Sequence, residues 1–321
     1  MAQPSSLPQG IWAPTQAFFH DETGDLDTGT IGRHAVRLAR AGIVGIVTNG
    51  SNGESVHLTP AERAQVTRVT RDALDAAGFA HVPIMAGASD QSLRGTLSLI
   101  ADAHDAGAAA VLLLSPSYFR WAMSVPAIEA YFTATADASP LPVFIYNYPA
   151  AAGGIDLDSE TLARLARHPN IVGTKFTCGN MGKLARVVAA VATAGREDYL
   201  AFSGVADAIT PALTVGGHGG IVGAANVFPR ACINVYRLYN QGKVDEARAA
   251  QQQLALADWT LTKRAIPGFK AILQKYHGYG GLPRQPVQPL SPEEEKALFA
   301  EISQMVVVEE SLQDFGQSTR S

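Results

Sequence analysis

The run Ile171-Val172-Gly173-Thr174-Lys175-Phe176-Thr177-Cys178 decides the fold, because it is apolar, β-branched and too short for a helix, yet carries one lysine. Such a run reads as a buried strand. A buried strand is a costly place for an ammonium group. Desolvation disfavours the charged form and lowers the lysine pKa, which leaves a nucleophilic amine near neutral pH. That amine could form a Schiff base with a carbonyl substrate. The alternative is a lysine whose stem lies in the sheet while its head snorkels to the strand end.

Outward from this run the same pattern repeats. Strand candidates lie at 10–19, 42–51, 82–89, 108–117, 142–149, 171–178, 199–206 and 220–226. Amphipathic stretches fall between them, at 31–41, 60–77, 93–106, 125–138, 159–167, 183–194 and 206–215. Strands alternating with helices imply βαβ units with parallel pairing. Eight such units in about 225 residues predict an α/β (β/α)₈ TIM barrel, a fold of typically about 250 residues. Thr59-Pro60-Ala61-Glu62 is a capping box with proline at the first helical position, and Ser291-Pro292-Glu293-Glu294 repeats that logic. After Asn226 the alternation stops, and helical patterns alone follow at 231–241, 244–261, 266–276 and 292–308. The expected organisation is a catalytic barrel over 9–229, a helical C-terminal extension over 230–312, and frayed tails at 1–8 and 313–321.

Composition narrows the partners. Of 321 residues, 47% are hydrophobic and 17% charged, so a sizeable core is expected. The net charge is −4 with no cluster of Lys or Arg, which argues against nucleic acid and anionic membrane surfaces. Residues 1–10 carry no charged side chain and no apolar signal core, and no apolar run is long enough to span a bilayer. Two cysteines, Cys178 and Cys232, are too few for a disulfide framework. A soluble cytoplasmic protein is the expectation. The eight histidines are scattered without metal spacing, so neither metal nor cofactor is expected.

The reactive side chains share one relative position. Ser51 and Asn52 end the second strand, Tyr118 follows the fourth, Tyr146 lies near the end of the fifth and Lys175 near the end of the sixth. In a barrel, carboxyl-terminal strand ends converge on one mouth, which holds the active site. The turn Gly50-Ser51-Asn52-Gly53-Glu54 can present successive backbone N–H groups as an anion nest, with a substrate carboxylate as the guest. Taken alone it is also an ordinary turn of turn-forming residues. A phenol facing a Schiff-base lysine can move protons, because its hydroxyl both donates and accepts; Tyr146 is assigned that part, and Tyr148 is read as a core tyrosine with a satisfied hydroxyl. Gly179-Asn180-Met181-Gly182-Lys183 lacks the spacing of a phosphate loop, and Gly216-Gly217-His218-Gly219-Gly220 is read as tight backbone turning. Lys270 is read as a solvated or paired charge.

Together, Gly50-Ser51-Asn52-Gly53-Glu54, Tyr146-Asn147-Tyr148-Pro149 and Gly173-Thr174-Lys175 resemble the signatures of the dihydrodipicolinate synthase / N-acetylneuraminate lyase family of pyruvate-handling class I aldolases. The resemblance runs from about residue 10 to about residue 300. It implies a homotetramer built as a dimer of dimers. It also implies Lys175 as the Schiff-base residue, Tyr146 for proton transfer, Ser51 as the relay hydroxyl and Tyr118 as a relay tyrosine from a neighbouring subunit. Backbone groups of Ser51 and Asn52 would hold the carboxylate, the Ile221 carbonyl would face the substrate, and Thr177 would meet its distal part. The synthases of this family carry an arginine for a second carboxylate where Ala151 stands here, and many relatives have an acid where Phe176 stands. Ser51-Asn52 and the segment Ala265-Ile266-Pro267-Gly268-Phe269-Lys270 are closer to 4-hydroxy-2-oxoglutarate aldolases and 2-keto-3-deoxy sugar acid aldolases. The leading expectation is reversible cleavage of a 4-hydroxy-2-oxo acid to pyruvate and an aldehyde, with the substrate as the only partner at the site. Dehydration of a 2-keto-3-deoxy sugar acid, dihydrodipicolinate synthesis and a non-catalytic keto-acid sensor are the alternatives.

Overall fold

All eight strand candidates form strands, trimmed at their ends by the turns that follow them. The computed structural model describes residues 7–316. The strands are β1 (Gly10–Pro14), β2 (Gly45–Thr48), β3 (Ile84–Gly87), β4 (Ala110–Leu114), β5 (Val143–Asn147), β6 (Ile171–Phe176), β7 (Leu200–Ser203) and β8 (Gly219–Ile221). Each pairs in parallel with the next, and β8 pairs with β1, closing the barrel. Every strand is buried along nearly its whole length because helices cover the outside and side chains fill the inside.

The helices that link the strands are α1 (Thr28–Ala41), α2 (Pro60–Ala76), α3 (Leu93–Asp105), α4 (Val125–Ala138), α5 (Ser159–Leu165), α6 (Met181–Thr193) and α7 (Ile209–Thr214), with α8 (Pro229–Asn240) packed against α7, β1 and α1. Side-chain caps set most starts. Thr59 and Ser291 both form complete capping boxes. Asp27 accepts from the Thr30 N–H and starts α1 earlier than its apolar stripe suggests. The seventh helical stretch is split into a tight turn at Ala206–Ala208 and the short α7. The Asp258 carboxylate accepts the N–H groups of Ala206 and Asp207 at 2.9 and 3.0 Å, which satisfies donors that a longer helix would have used otherwise.

Beyond α8 lie α9 (Val244–His277) and α10 (Pro292–Ser311). The two helical stretches expected at 244–261 and 266–276 form one path broken at Ala265, which has φ 46° and ψ −141°. Pro267 causes the break: it lacks an N–H and its ring collides with the turn before it. Parts of the expected tails, residues 1–6 and 317–321, lie outside the described residues. The adjoining residues are anchored instead of frayed. The Pro8 carbonyl accepts from the Trp12 indole, and Phe315 and Gly316 donate their N–H groups to the carbonyls of Ala41 and Arg40.

The barrel interior is filled by Trp12, Val47, Met85, Leu112, Phe144, Phe202 and Ile221, with Tyr146 above them. Burying a large apolar side chain of this kind contributes ~1.5–3 kcal/mol. Two glycines make room for the rings. A Cβ on Gly45 would stand 2.2 Å from the Trp12 ring, and one on Gly173 would stand 2.2 Å from the Phe144 ring. This filling seals the lower barrel and leaves space only at the carboxyl-terminal mouth.

Candidate active site

Lys175 is the fifth residue of β6, and alternation decides where it points. Thr174 and Phe176 face the helices: the Thr174 hydroxyl bonds the Tyr199 hydroxyl at 2.5 Å, and Phe176 belongs to the outer core. Gly173 and Lys175 therefore face the interior. Lys175 is 4% exposed. Burial alone pulls its ammonium pKa from 10.5 down to about 7, with no carboxylate opposing the shift. The amine thus has an unprotonated, nucleophilic form available near neutrality.

The register places Tyr146 of β5 directly beside Lys175 and Phe202 of β7 on its other side. The lysine Nζ stands 4.3 Å from the centre of the Tyr146 ring. The Tyr146 hydroxyl lies 3.4 Å from Ser51 Oγ. Burial pushes its phenol pKa up, against smaller opposing effects of the Ser51 and Thr177 hydroxyls, so the resting group is a neutral phenol. Tyr148 departs from its expected place in the core. It is half-buried, lines the cavity, and stacks on Tyr146 with centroids 5.6 Å apart and planes at 24°. It still packs against the barrel-interior cluster from the residue that precedes the short turn Pro149–Ala151.

Ser51 and Asn52 come from the turn after β2. The Gly50 carbonyl accepts the N–H groups of Gly53 and Ser55 at 3.1 and 3.4 Å, and the Ser51 carbonyl accepts that of Glu54 at 3.2 Å. Asn49 and Glu54 bracket the turn with φ of 54° and 50°. The Asn49 strain is held by its side chain, which donates to the Arg63 carbonyl and Thr67 hydroxyl. No acceptor among the described residues takes the N–H groups of Ser51 or Asn52. Successive free donors in such a turn can form an anion-binding concavity.

A cavity of about 430 Å³ opens here, its walls including Gly50, Ser51, Leu112, Tyr146, Tyr148 and Ala151. Lys175 is not on these walls itself; it reaches the space through Tyr146, whose ring lies between the two with its centre 4.3 Å from Nζ. Ala151 is on the cavity wall and brings no charge to it. Thr177 follows β6; its Oγ1 is buried without a hydrogen-bond partner. It needs Gly204 beside it, since a Cβ there would fall 1.9 Å from that oxygen. Ile221 closes the interior from β8.

The chain thus brings Lys175, Tyr146 and Ser51 together, while Asn52, Thr177 and Ile221 stand off the cavity walls, the Asn52 side chain near Gly223 and Phe269. Tyr118 stands apart. It is 73% exposed, rests edge-on against Phe119, and does not line this cavity. Lys270 is paired but not solvated: its Nζ lies 2.8 Å from Glu54 Oε1, with both side chains buried. Glu54 gave a signal in the sequence, as the acid closing the turn motif, but its partner is more than 200 residues away and periodicity could not identify it. The Gly179–Lys183 segment caps α6 through Asn180, and Lys183 pairs with Asp156. Gly219, at φ 130°, lies so close to Gly10 that a Cβ would meet its carbonyl at 2.0 Å, which accounts for the glycine run before β8.

Among the described residues no group of three or more His, Cys, Asp or Glu could hold a metal ion, and no helix is long and apolar enough to cross a membrane. Residues 8–305 match the dihydrodipicolinate synthetase family. The L-threo-3-deoxy-hexylosonate aldolase of Hypocrea jecorina is 51% identical over 96% of this chain and 99% of its own. The protein of Emericella nidulans named "Probable 4-hydroxy-2-oxoglutarate aldolase, mitochondrial" is 45% identical over 96% of this chain and 98% of its own. A prophage protein of the dihydrodipicolinic acid synthase family from E. coli K12, solved in complex with pyruvate, superposes with a TM-score of 0.85 at 27% identity, over 93% of this chain and 98% of that one. With an eightfold barrel, a desolvated strand-end lysine and a family match over nearly its whole length, the chain belongs to the dihydrodipicolinate synthetase family.

Proposed function

We propose that the protein is a class I aldolase that reversibly cleaves a 3-deoxy-2-oxo sugar acid, or a 4-hydroxy-2-oxo acid of similar length, to pyruvate and an aldehyde. The observation that carries this reading is the Lys175 amine, desolvated to a pKa of about 7 and facing the Tyr146 ring from the adjacent strand. The naming of the Hypocrea jecorina and Emericella nidulans relatives as aldolases supports it.

Lys175 would attack the C2 ketone and release water, leaving an iminium. The carboxylate at C1 would lie on the free N–H groups of Ser51 and Asn52. Loss of the C4 hydroxyl proton then lets the C3–C4 bonding pair move into the iminium, giving an aldehyde and the enamine of pyruvate. Tyr146 would accept that proton while passing its own toward Ser51, so that no phenolate stands alone in a site where burial disfavours it. Protonation at C3 and addition of water would return pyruvate and the free amine. The iminium is the electron sink, so the proposed chemistry calls on no separate cofactor. For a six-carbon acid the second product is a three-carbon aldehyde. The uncharged Ala151 supports a hydroxylated substrate tail over a second carboxylate, since the guanidinium that does line the cavity, that of Arg63, is engaged by the Ser55 and Ser89 carbonyls.

The exposed aromatic run Tyr118, Phe119 and Trp121 supports a subunit contact on this face, through which Tyr118 of one copy would complete the relay of another in a homotetramer. Borohydride reduction in the presence of pyruvate tests the central step: the expected result is a pyruvate-derived mass increment on the peptide carrying Lys175, and an unmodified peptide rejects the assignment. Pyruvate release from a panel of 3-deoxy-2-oxo acids then ranks the substrates, and a product that keeps all its carbons would indicate dehydration instead.

A further inference from the structure

The Gly50–Glu54 turn is held from beneath by the C-terminal helices. Glu54 is 1% exposed and sits at a positive φ, a conformation that costs energy for a non-glycine residue. One carboxylate oxygen lies 2.8 Å from Lys270 Nζ of α9. The other accepts the Arg284 N–H at 2.8 Å and faces His57 Nδ1 at 3.3 Å. Lys270 is fixed in turn by the Leu282 carbonyl at 2.8 Å and by the Phe19 ring, whose centre is 4.5 Å from Nζ. The adjacent Phe269 reaches the same place: a Cβ on Gly223 would meet Asn52 Nδ2 at 3.0 Å and Phe269 Cζ at 3.1 Å. The break at Ala265 and Pro267 redirects α9 just before these residues.

A wholly buried ion pair is a poor source of net stability, since desolvation of both ions offsets their attraction and apolar replacements often serve as well. Its location offers another reason for it. The pair ends two residues from Asn52, in a turn whose Ser51 and Asn52 N–H groups have no acceptor among the described residues.

We infer that Glu54 and Lys270 are positioning residues that hold the Gly50–Glu54 turn in its carboxylate-binding shape, so that the redirected half of α9 acts in substrate binding. This rests on the reading of that turn as the seat of the 2-oxo acid carboxylate.

Three variants test it: Lys270→Met, the double Glu54→Gln/Lys270→Met, and Glu309→Gln. Glu309 is a buried carboxylate on α10 that caps α8 and serves as the control for general destabilisation. The readouts are KM and kcat for the 2-oxo acid, and the pyruvate concentration giving half-maximal borohydride labelling of Lys175. The expected result for both Lys270 variants is a rise of about tenfold or more in KM and in that half-labelling concentration, with kcat within about threefold of wild type. The double variant leaves no buried charge unpaired, so it keeps the test open if Lys270→Met fails to fold. Glu309→Gln is expected to leave both concentrations unchanged. A folded double variant with wild-type KM and labelling overturns the inference, as does a loss confined to kcat. Absence of labelling in the wild-type protein would instead reject the imine at Lys175; the inference would then be judged by pyruvate titration calorimetry, where equal affinity in wild type and double variant overturns it.

Discussion

Tyr146 and Lys175 are register partners on neighbouring strands, and the lysine nitrogen stands 4.3 Å from the centre of the phenol ring. Parallel pairing makes this unavoidable: partners in register send their side chains to the same side of the sheet. The apolar ring helps keep water from the amine while its hydroxyl reaches forward to Ser51. One residue thereby contributes to the depressed pKa of the nucleophile and places a proton carrier ahead of it.

A pH profile should report that depression directly. For the free enzyme, kcat/KM depends on the unprotonated amine. With Lys175 titrating at about 7, the profile should rise with pH through about 7 and level off above it. The half-labelling concentration of pyruvate should follow the same limb. A rise centred above pH 9 would mean that the amine is solvated.

Replacing Lys175 by Met should abolish cleavage and strengthen the fold. The imine is the only route for the bonding electrons, so kcat is expected to fall by at least about 10³-fold. The stability gain follows from proton linkage. The unfolded lysine titrates near 10.5 and the folded one near 7, so between these values the unfolded chain binds more protons and stability rises with pH. Below pH 7 the cost of the buried amine is fully present, on the order of 5 kcal/mol at about 1.4 kcal/mol per tenfold change in proton affinity. Urea titration at pH 7 should therefore show the variant more stable by a few kcal/mol, with the difference shrinking toward pH 10.5. A variant less stable than wild type at pH 7 would contradict the burial.

Much of the barrel was legible because each strand is a short apolar run and most helices begin with a side-chain cap. Lys175 was legible for the opposite reason, as the one charge in such a run. What escaped the sequence depends on distant parts of the chain. Tyr148 reads as core, and only the fold shows it stacked on Tyr146 and lining the cavity. Lys270 looks like any helical lysine until α9, broken at Ala265, carries it to Glu54. Gly45 and Gly173 look like ordinary strand interruptions, yet each is the seat of an aromatic ring from the neighbouring strand.

That last point gives a packing prediction. A methyl group on Gly173 would lie 2.2 Å from the Phe144 ring and 2.5 Å from the Leu200 carbonyl. One neighbour is flexible but the other is backbone, so the contact cannot be relieved by a rotamer change alone. Gly173→Ala should destabilise the protein by about 1–3 kcal/mol, as overpacked cores do. Gly195, where a Cβ would meet nothing within 4 Å, is the comparison for crowding, although its φ of 69° still disfavours alanine. Urea midpoints for the two variants separate steric overlap from backbone strain: a larger loss at Gly195 would show that crowding in the barrel is relieved.

Tyr146→Phe and Ser51→Ala should separate proton transfer from imine formation. The phenylalanine ring keeps the apolar cover over Lys175 and removes only the hydroxyl, so pyruvate should still label the lysine with borohydride. Cleavage should fall by about 10²–10⁴-fold in kcat, the usual contribution of a positioned proton carrier. Ser51→Ala leaves the phenol in place but removes the oxygen 3.4 Å away that would take its proton. Its kcat should fall less, and water entering the space left by the hydroxyl should restore part of the relay. The backbone N–H of residue 51 survives the substitution, so the labelling concentration of pyruvate should stay close to wild type. If Ser51→Ala instead weakened pyruvate labelling as strongly as it slowed cleavage, the side chain would belong to carboxylate binding and the relay through Tyr146 would need another acceptor.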